Sequence, residues 1–202
     1  CLTMTAFSVA LSLAAVGLLL AVNDAAADDA PDPARVAEIA PMLPEAPEGV
    51  GRPITDREAW DALAAAPECQ AIVSRAERLL AEPLAEQPDE LYLEFSQNGN
   101  RTRYQSVAFG RRRTRLNTLV LAECLEDQGR FLPAIEEVIT ATCAERTWVL
   151  PAHDRSLVNF NRERIDIDLS SSEYAWQLAT ANWLLGERLS PATREMIRSN
   201  VS

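Results

Sequence analysis

The stretch that decides the fold is YAWQLATANWLL, Tyr174 to Leu185. Only Gln177, Thr180 and Asn182 interrupt an apolar surface that otherwise runs nearly all the way round a helix. A helix of that kind cannot satisfy itself against one neighbour and is buried on more than one side. Ser170-Ser-Ser-Glu173 before it predicts a capping box, and Gly186 after it predicts the stop. Ser190-Pro191 then opens a last helix, with Ser as N-cap and Pro in the first turn, running to the final residues.

Upstream the same helical grammar repeats. Arg111 to Asp127 carries Leu116, Val120 and Cys124 on one face with Leu121 and Leu125 beside it, and Gly129 ends it. Phe131 to Glu145 follows, with Phe131, Ile135, Val138, Ile139 and Thr142 inward. The short link makes the pair an antiparallel hairpin. Thr55-x-x-Glu58 predicts a capping box that starts a helix to about Ala66. Pro67 breaks it, and Glu68 to Ala81 is a second helix with Ile72, Val73, Ala76, Leu79 and Leu80 inward. Asp89 to Gln97 alternates like a strand but matches a helical face as well. Its Pro-Asp-Glu entry favours a short helix, closed by the Asn98-Gly99 turn. Trp148 to Ile165 is irregular. No βαβ rhythm and no glycine-rich phosphate loop is present, so the class is all-α, built of successive helical hairpins. An enclosed helix with few hairpins around it predicts an inner layer flanked by an outer one, and a chain that is a truncated part of that arrangement.

The 202 residues suffice for one domain with a real core. A net charge of −11 excludes bulk attraction to nucleic acid or anionic membrane. All 19 cationic residues are Arg, so every fixed positive site is a planar fork suited to carboxylates. Phe7 to Val22 is uncharged, short for a spanning helix, and followed by Ala25-Ala26-Ala27. That pattern predicts a signal peptide over residues 1–27, an exported protein, periplasmic or extracellular, and no membrane attachment after cleavage; the rival reading is an uncleaved membrane anchor. Residues 28–54, rich in Pro, Ala and acid, read as a partly extended arm, and residues 55–202 as the hairpin domain. Cys69, Cys124 and Cys143 would remain, an odd number for a disulfide framework. Cys124 and Cys143 fall about 12 Å out of level on their hairpin, too far to bridge, so buried free thiols are expected. No metal-ligand spacing is present and no cofactor is expected.

Four stretches occur together in order: ELYLEFSQNGNRTRYQ, RLNTLVLAECLEDQGRFLPAIEEVI, TWVLPAHD and DIDLSSSEYAWQLATANWLLGERLSPATREMIR. As an ordered set over roughly Pro88 to Val201 they resemble the N-terminal part of the heparinase II/III-like proteins, relatives of alginate lyases. The resemblance implies an exported bacterial polysaccharide lyase whose first domain is an α/α toroid, here incomplete. It implies an acidic, uronate-containing polysaccharide or oligosaccharide as partner, cut by β-elimination. It also places the catalytic Asn, His and Tyr beyond Ser202. Such a site needs a neutraliser for the carboxylate, a base for the C5 proton and an acid for the leaving oxygen. No group in this chain visibly supplies all three. Two other classes stay open: a non-catalytic helical module binding glycan or protein, and an α/α-toroid glycoside hydrolase.

Within the chain, the sole histidine, His153, has three readings: proton transfer with Asp154 orienting the ring, cleft lining, or a loop anchor. Trp148 reads as a sugar platform or as core. Ser96 to Ala122 holds Arg101, Arg103, Arg111, Arg112, Arg113 and Arg115 and no acid. Arg101 and Arg103 beside Tyr104 are the choice for an anionic ligand; the alternative is a solvated helix face. Asp166 and Asp168 read as the polar face of an extended entry to the next helix, or as the paired carboxylates of a hydrolase. Trp176 and Trp183 read as packing.

Overall fold

The computed structural model describes residues 32–43 and 50–202. The predicted signal peptide lies outside them. The chain divides into two units, residues 1–48 and 49–202. Within the first, α1 (Pro33–Ile39) is capped by the Asp32 carboxylate, which accepts from Ala34 N–H, and runs into a turn of 3-10 helix, Ala40–Met42. This part of the arm is therefore helical rather than extended, because Asp32-Pro33 supplies both an N-cap and a preset first φ.

The second unit is all helix and loop, with no strand among the described residues. Its helices are α2 (Arg57–Ala64), α3 (Pro67–Leu80), α4 (Asp89–Asn98), α5 (Thr102–Gln105), α6 (Thr114–Glu126), α7 (Leu132–Cys143), α8 (Leu169–Leu185) and α9 (Pro191–Val201). Between α5 and α6 the helix does not break. Ser106–Arg113 continues it with π-helical bonding. Sequence periodicity started this helix at Arg111; the structure starts it nine residues earlier, because the wider turn shifts the apolar period and hides the continuity.

Helix α6 is the centre. It packs against α2, α3, α7 and α8, and α9 joins α7 and α8. Leu116, Leu119, Val120, Ala122, Cys124 and Leu125 are buried, whereas Leu121 reaches solvent. The hairpin from α6 to α7 forms as expected. Phe131, Ile135, Val138, Ile139 and Thr142 are all buried. Its turn is set by Asp127, at φ 52°, and by Gly129, at φ 78°. The buried Glu123 carboxylate ties it down by accepting from Gly129 N–H and Phe131 N–H. On α3, Ala76 is buried and Ile72, Val73 and Leu79 pack on the core, but Leu80 is exposed.

Helix α8 departs from its expected burial. Tyr174, Gln177, Leu178, Ala181, Leu184 and Leu185 are buried, but Trp176 is 57% exposed. The helix is sandwiched between α6 and α9 and open along a third side. Both predicted capping boxes shift. Asp56 caps α2 by accepting from Ala59 N–H, and Asp168 caps α8 in a box with Ser171. An Asp one residue after Thr55, or two before Ser170, wins because its carboxylate meets the first N–H groups as a charged acceptor. The Ser190 cap and Pro191 start of α9 are as read. Residues 51–54 belong with this unit. Ile54 is buried and donates its N–H to Leu184 O, and Trp183 Nε1 donates to Gly51 O.

A second, smaller core holds Leu91, Tyr92, Tyr104, Ala108 and Phe160. Tyr92 stacks on Phe160 at 5.1 Å and meets Tyr104 edge-on at 5.5 Å. This cluster fastens the long irregular loop between α7 and α8 to α4 and the π-helical segment.

Candidate functional site

The loop from Glu145 to Asp168 carries most of the singled-out chemistry. Asp154 is its anchor, not the orienter of His153. The buried Asp154 carboxylate accepts from Tyr92 Oη (3.1 Å), Asn159 N–H (3.1 Å), Asn159 Nδ2 (3.3 Å) and Phe160 N–H (2.9 Å). Burial first, and then the charge and hydrogen bond of Asp154, push the Tyr92 phenol far above its ordinary pKa. Tyr92 is therefore a fixed hydrogen-bond donor.

His153 sits on a 3-10 turn, Pro151–His153, with its side chain 47% exposed. Its Nδ1 lies 2.8 Å from Asp168 Oδ2. Asp168 also accepts from Leu150 N–H (2.9 Å) and Ser171 N–H (2.8 Å). Burial acts to raise the Asp168 pKa, but these hydrogen bonds outweigh it and hold the carboxyl below its usual range. Asp166 accepts from Asn159 Nδ2 and from Arg164, and the Arg164 bond leads in holding it low as well. The two carboxylates are thus committed to loop and cap, which leaves neither as a raised-pKa acid of the kind a hydrolase pair needs.

The arginine-rich stretch is dispersed. Arg112 is buried against Glu145 (3.0 Å) and donates Nε to Ala85 O. Arg113 lies over the rings of Phe109 and Tyr174 and pairs with Glu173. Arg115 donates to Glu82 O, and Arg103 pairs with Glu94. Tyr104, 2% exposed, has its hydroxyl inside the small core, so it does not form a ligand face with the exposed Arg101 and Arg103. The fault in the sequence reading is one of period: in the helical run from Thr102, Tyr104 turns inward where Arg101 and Arg103 stay in water.

Trp148 and three arginines that the sequence reading passed over share a cavity of about 480 Å³. Its wall includes Arg146, Trp148, Asn159, Arg162, Arg164 and Asp166. The Trp148 ring lies tilted on Tyr174 at 5.8 Å and donates Nε1 to Thr142 O (2.9 Å), so it is held rather than free. Arg146 pairs with Asp89 (2.7 Å) and lies over Phe160. Arg162 has no ion-pair partner among the described residues and adopts φ 61°. A left-handed arginine is uncommon and marks a backbone held by its surroundings. The irregular stretch Trp148 to Ile165 gave no hint of it, since Arg162 and Arg164 meet Trp148 only through the loop's return path. His153 is not in this wall. Glu145 also lines the cavity, pushed up to about 7 by burial, which outweighs the guanidinium groups of Arg112 and Arg113.

Cys69, Cys124 and Cys143 are free thiols. Burial pushes Cys124 up to about 12 and Cys143 up to about 11. No protein-family model matches this chain, and no curated protein matches it. The heparinase II/III-like resemblance therefore rests on the four stretches alone.

Proposed function

We propose that this chain forms helical scaffold and part of the substrate cleft of an exported polysaccharide lyase that cuts acidic, uronate-containing glycans by β-elimination. One observation carries the reading: a tryptophan and three guanidinium groups line one cavity in a protein of net charge −11. A sugar ring offers an apolar face to an indole, and a uronate offers a carboxylate to a guanidinium fork. The volume lies within the span of small-ligand sites. The reading assigns the chain binding and support. It assigns the proton-transfer groups elsewhere, in keeping with Tyr92, Tyr104 and Tyr174, whose phenols burial pushes well above ordinary values.

Titration calorimetry with a uronate tetrasaccharide tests the binding half. Saturable binding, weakened about tenfold by Arg162→Gln, is expected; equal affinity for the uncharged sugar would remove the carboxylate from the explanation. For the elimination half, the product of the whole gene is incubated with uronate polymers while the ultraviolet absorbance of the unsaturated product is followed. A flat trace on every uronate polymer overturns lyase chemistry.

A second reading, a non-catalytic helical module, is favoured by the apolar side chains of Ile165, Ile167, Leu169 and Trp176, which are 91%, 83%, 78% and 57% exposed. Glycan binding without elimination by the whole gene product would select it.

A further inference from the structure

A groove that shares no lining residue with the Trp148 cavity brings four arginines together. It has a volume of about 750 Å³ and lies between the end of α3, the connector after it, and the junction of the π-helical segment with α6. Arg75 and Arg78 reach it from α3, three residues apart and so on one face. Arg111 reaches it from the π-helical segment, next to Gly110, where a side chain would meet open space. Arg115 reaches it from α6.

None of these four forms an ion pair among the described residues. Arg115 is only 6% exposed. It donates Nη1 to Glu82 O (3.0 Å), while its buried Nε has no acceptor. A buried guanidinium with an unused donor is costly unless an anion or acceptor meets it. Glu82 and Glu86 also line the groove, both exposed, and leave a surplus of two positive charges from four arginines and two glutamates. The π-helical turn places Arg111 on this wall. In a regular α-helix each added residue turns the face by about 100°, and the wider turn changes that phase.

We propose that this groove is a binding site for a phosphate group, free or as a phosphomonoester. A surplus of two charges matches a dianion. Guanidinium donors from α3, the π-helical segment and α6 suit a tetrahedral group, which accepts in several directions, better than a planar carboxylate. The site does not depend on the lyase reading, since the Trp148 cavity contributes nothing to it.

The test is titration calorimetry of the whole chain with inorganic phosphate at low ionic strength and pH near 8. Saturable one-to-one binding is expected. Arg78→Gln and Arg111→Gln each weaken it about tenfold with unchanged thermal midpoints, and Arg198→Gln, at an exposed side chain on α9, leaves it as it was. Arg75→Gln serves where either of the first two unfolds. Competition by a hexose phosphate identifies the monoester as the ligand form, and binding of inorganic phosphate alone identifies the free ion. No saturable heat, a hexuronate binding as tightly as phosphate, or an equal loss in Arg198→Gln overturns the site.

Discussion

At the scale of single residues, two neighbours in one quoted stretch have opposite weight. His153 makes one side-chain hydrogen bond, to an Asp168 that keeps two backbone donors without it. Asp154 closes four hydrogen bonds in a buried place. We expect His153→Ala to cost under about 1 kcal/mol, and Asp154→Ala about 3 kcal/mol or more, because it strands Tyr92, Asn159 and Phe160 donors without acceptors. Urea unfolding midpoints of the two variants measure this, and equal midpoints would contradict the assignment of Asp154 as anchor. Glu145 gives a pH dependence. Its folded pKa, about 7, is raised above its ordinary 4.5, so the folded state favours the protonated acid. The stability this contributes is full below about pH 4.5 and is lost as pH rises through about 7. Relative to Glu145→Gln, the wild-type protein should lose about 3 kcal/mol between the two ends of that window. A parallel pH dependence of both proteins would exclude Glu145 as the source.

At the scale of elements, caps and the π-helical segment decide the helix starts. Asp168 joins three tasks: the N-cap of α8, the Leu150 N–H and the His153 ring. Asp168→Ala should lower stability by about 2 kcal/mol, more than an exposed cap alone, and thermal melting reads it. Gly110 sits in the π-helical turn with φ outside the left-handed region and open space where a Cβ would stand. Gly110→Ala should therefore stabilise by about 0.5–1 kcal/mol through the unfolded chain's lost freedom; a lower melting point would show that the wide turn needs glycine. Helix existence was legible wherever the period was regular, as in α3, α7 and α9. The α5 to α6 run was not, because a π-helical insertion shifts the phase that periodicity relies on. The two capping boxes were misplaced by one or two residues, since Ser, Thr and Asp all bear the needed oxygen and only the backbone turn selects among them; the Ser190 cap was placed as read.

At the scale of the whole molecule, burial controls chemistry at a distance from any site. Cys124 lies at the centre of the core on α6, and its thiol is pushed up to about 12. Alkylation of the native protein should leave Cys124 unmodified, with Cys143 slow, until denaturant is added. Peptide mass mapping reads this out, and early labelling of Cys124 would mean that α6 opens locally. Hydrogen exchange should be slowest along α6, which has neighbours on four elements, and faster along α8, which has an open side. The candidate cleft was only partly legible. Trp148, read as sugar platform or core, packs on the core and also lines the cavity, whereas Arg162 and Arg164, which line it too, reach it through a loop without periodicity and carried no signal.

By itself the sequence determined the all-α class, the order of α2, α3, α4, α6, α7, α8 and α9, the hairpin of α6 and α7 and the free thiols, for these follow from local period, stop signals and spacing along one chain. Only the tertiary structure decided which helix is central, which carboxylates are anchors and which arginines are left without partners. Those outcomes depend on residues distant in the chain coming within hydrogen-bond range, and solvent exclusion there, not residue type, sets whether a charged group is neutralised or free to hold a ligand.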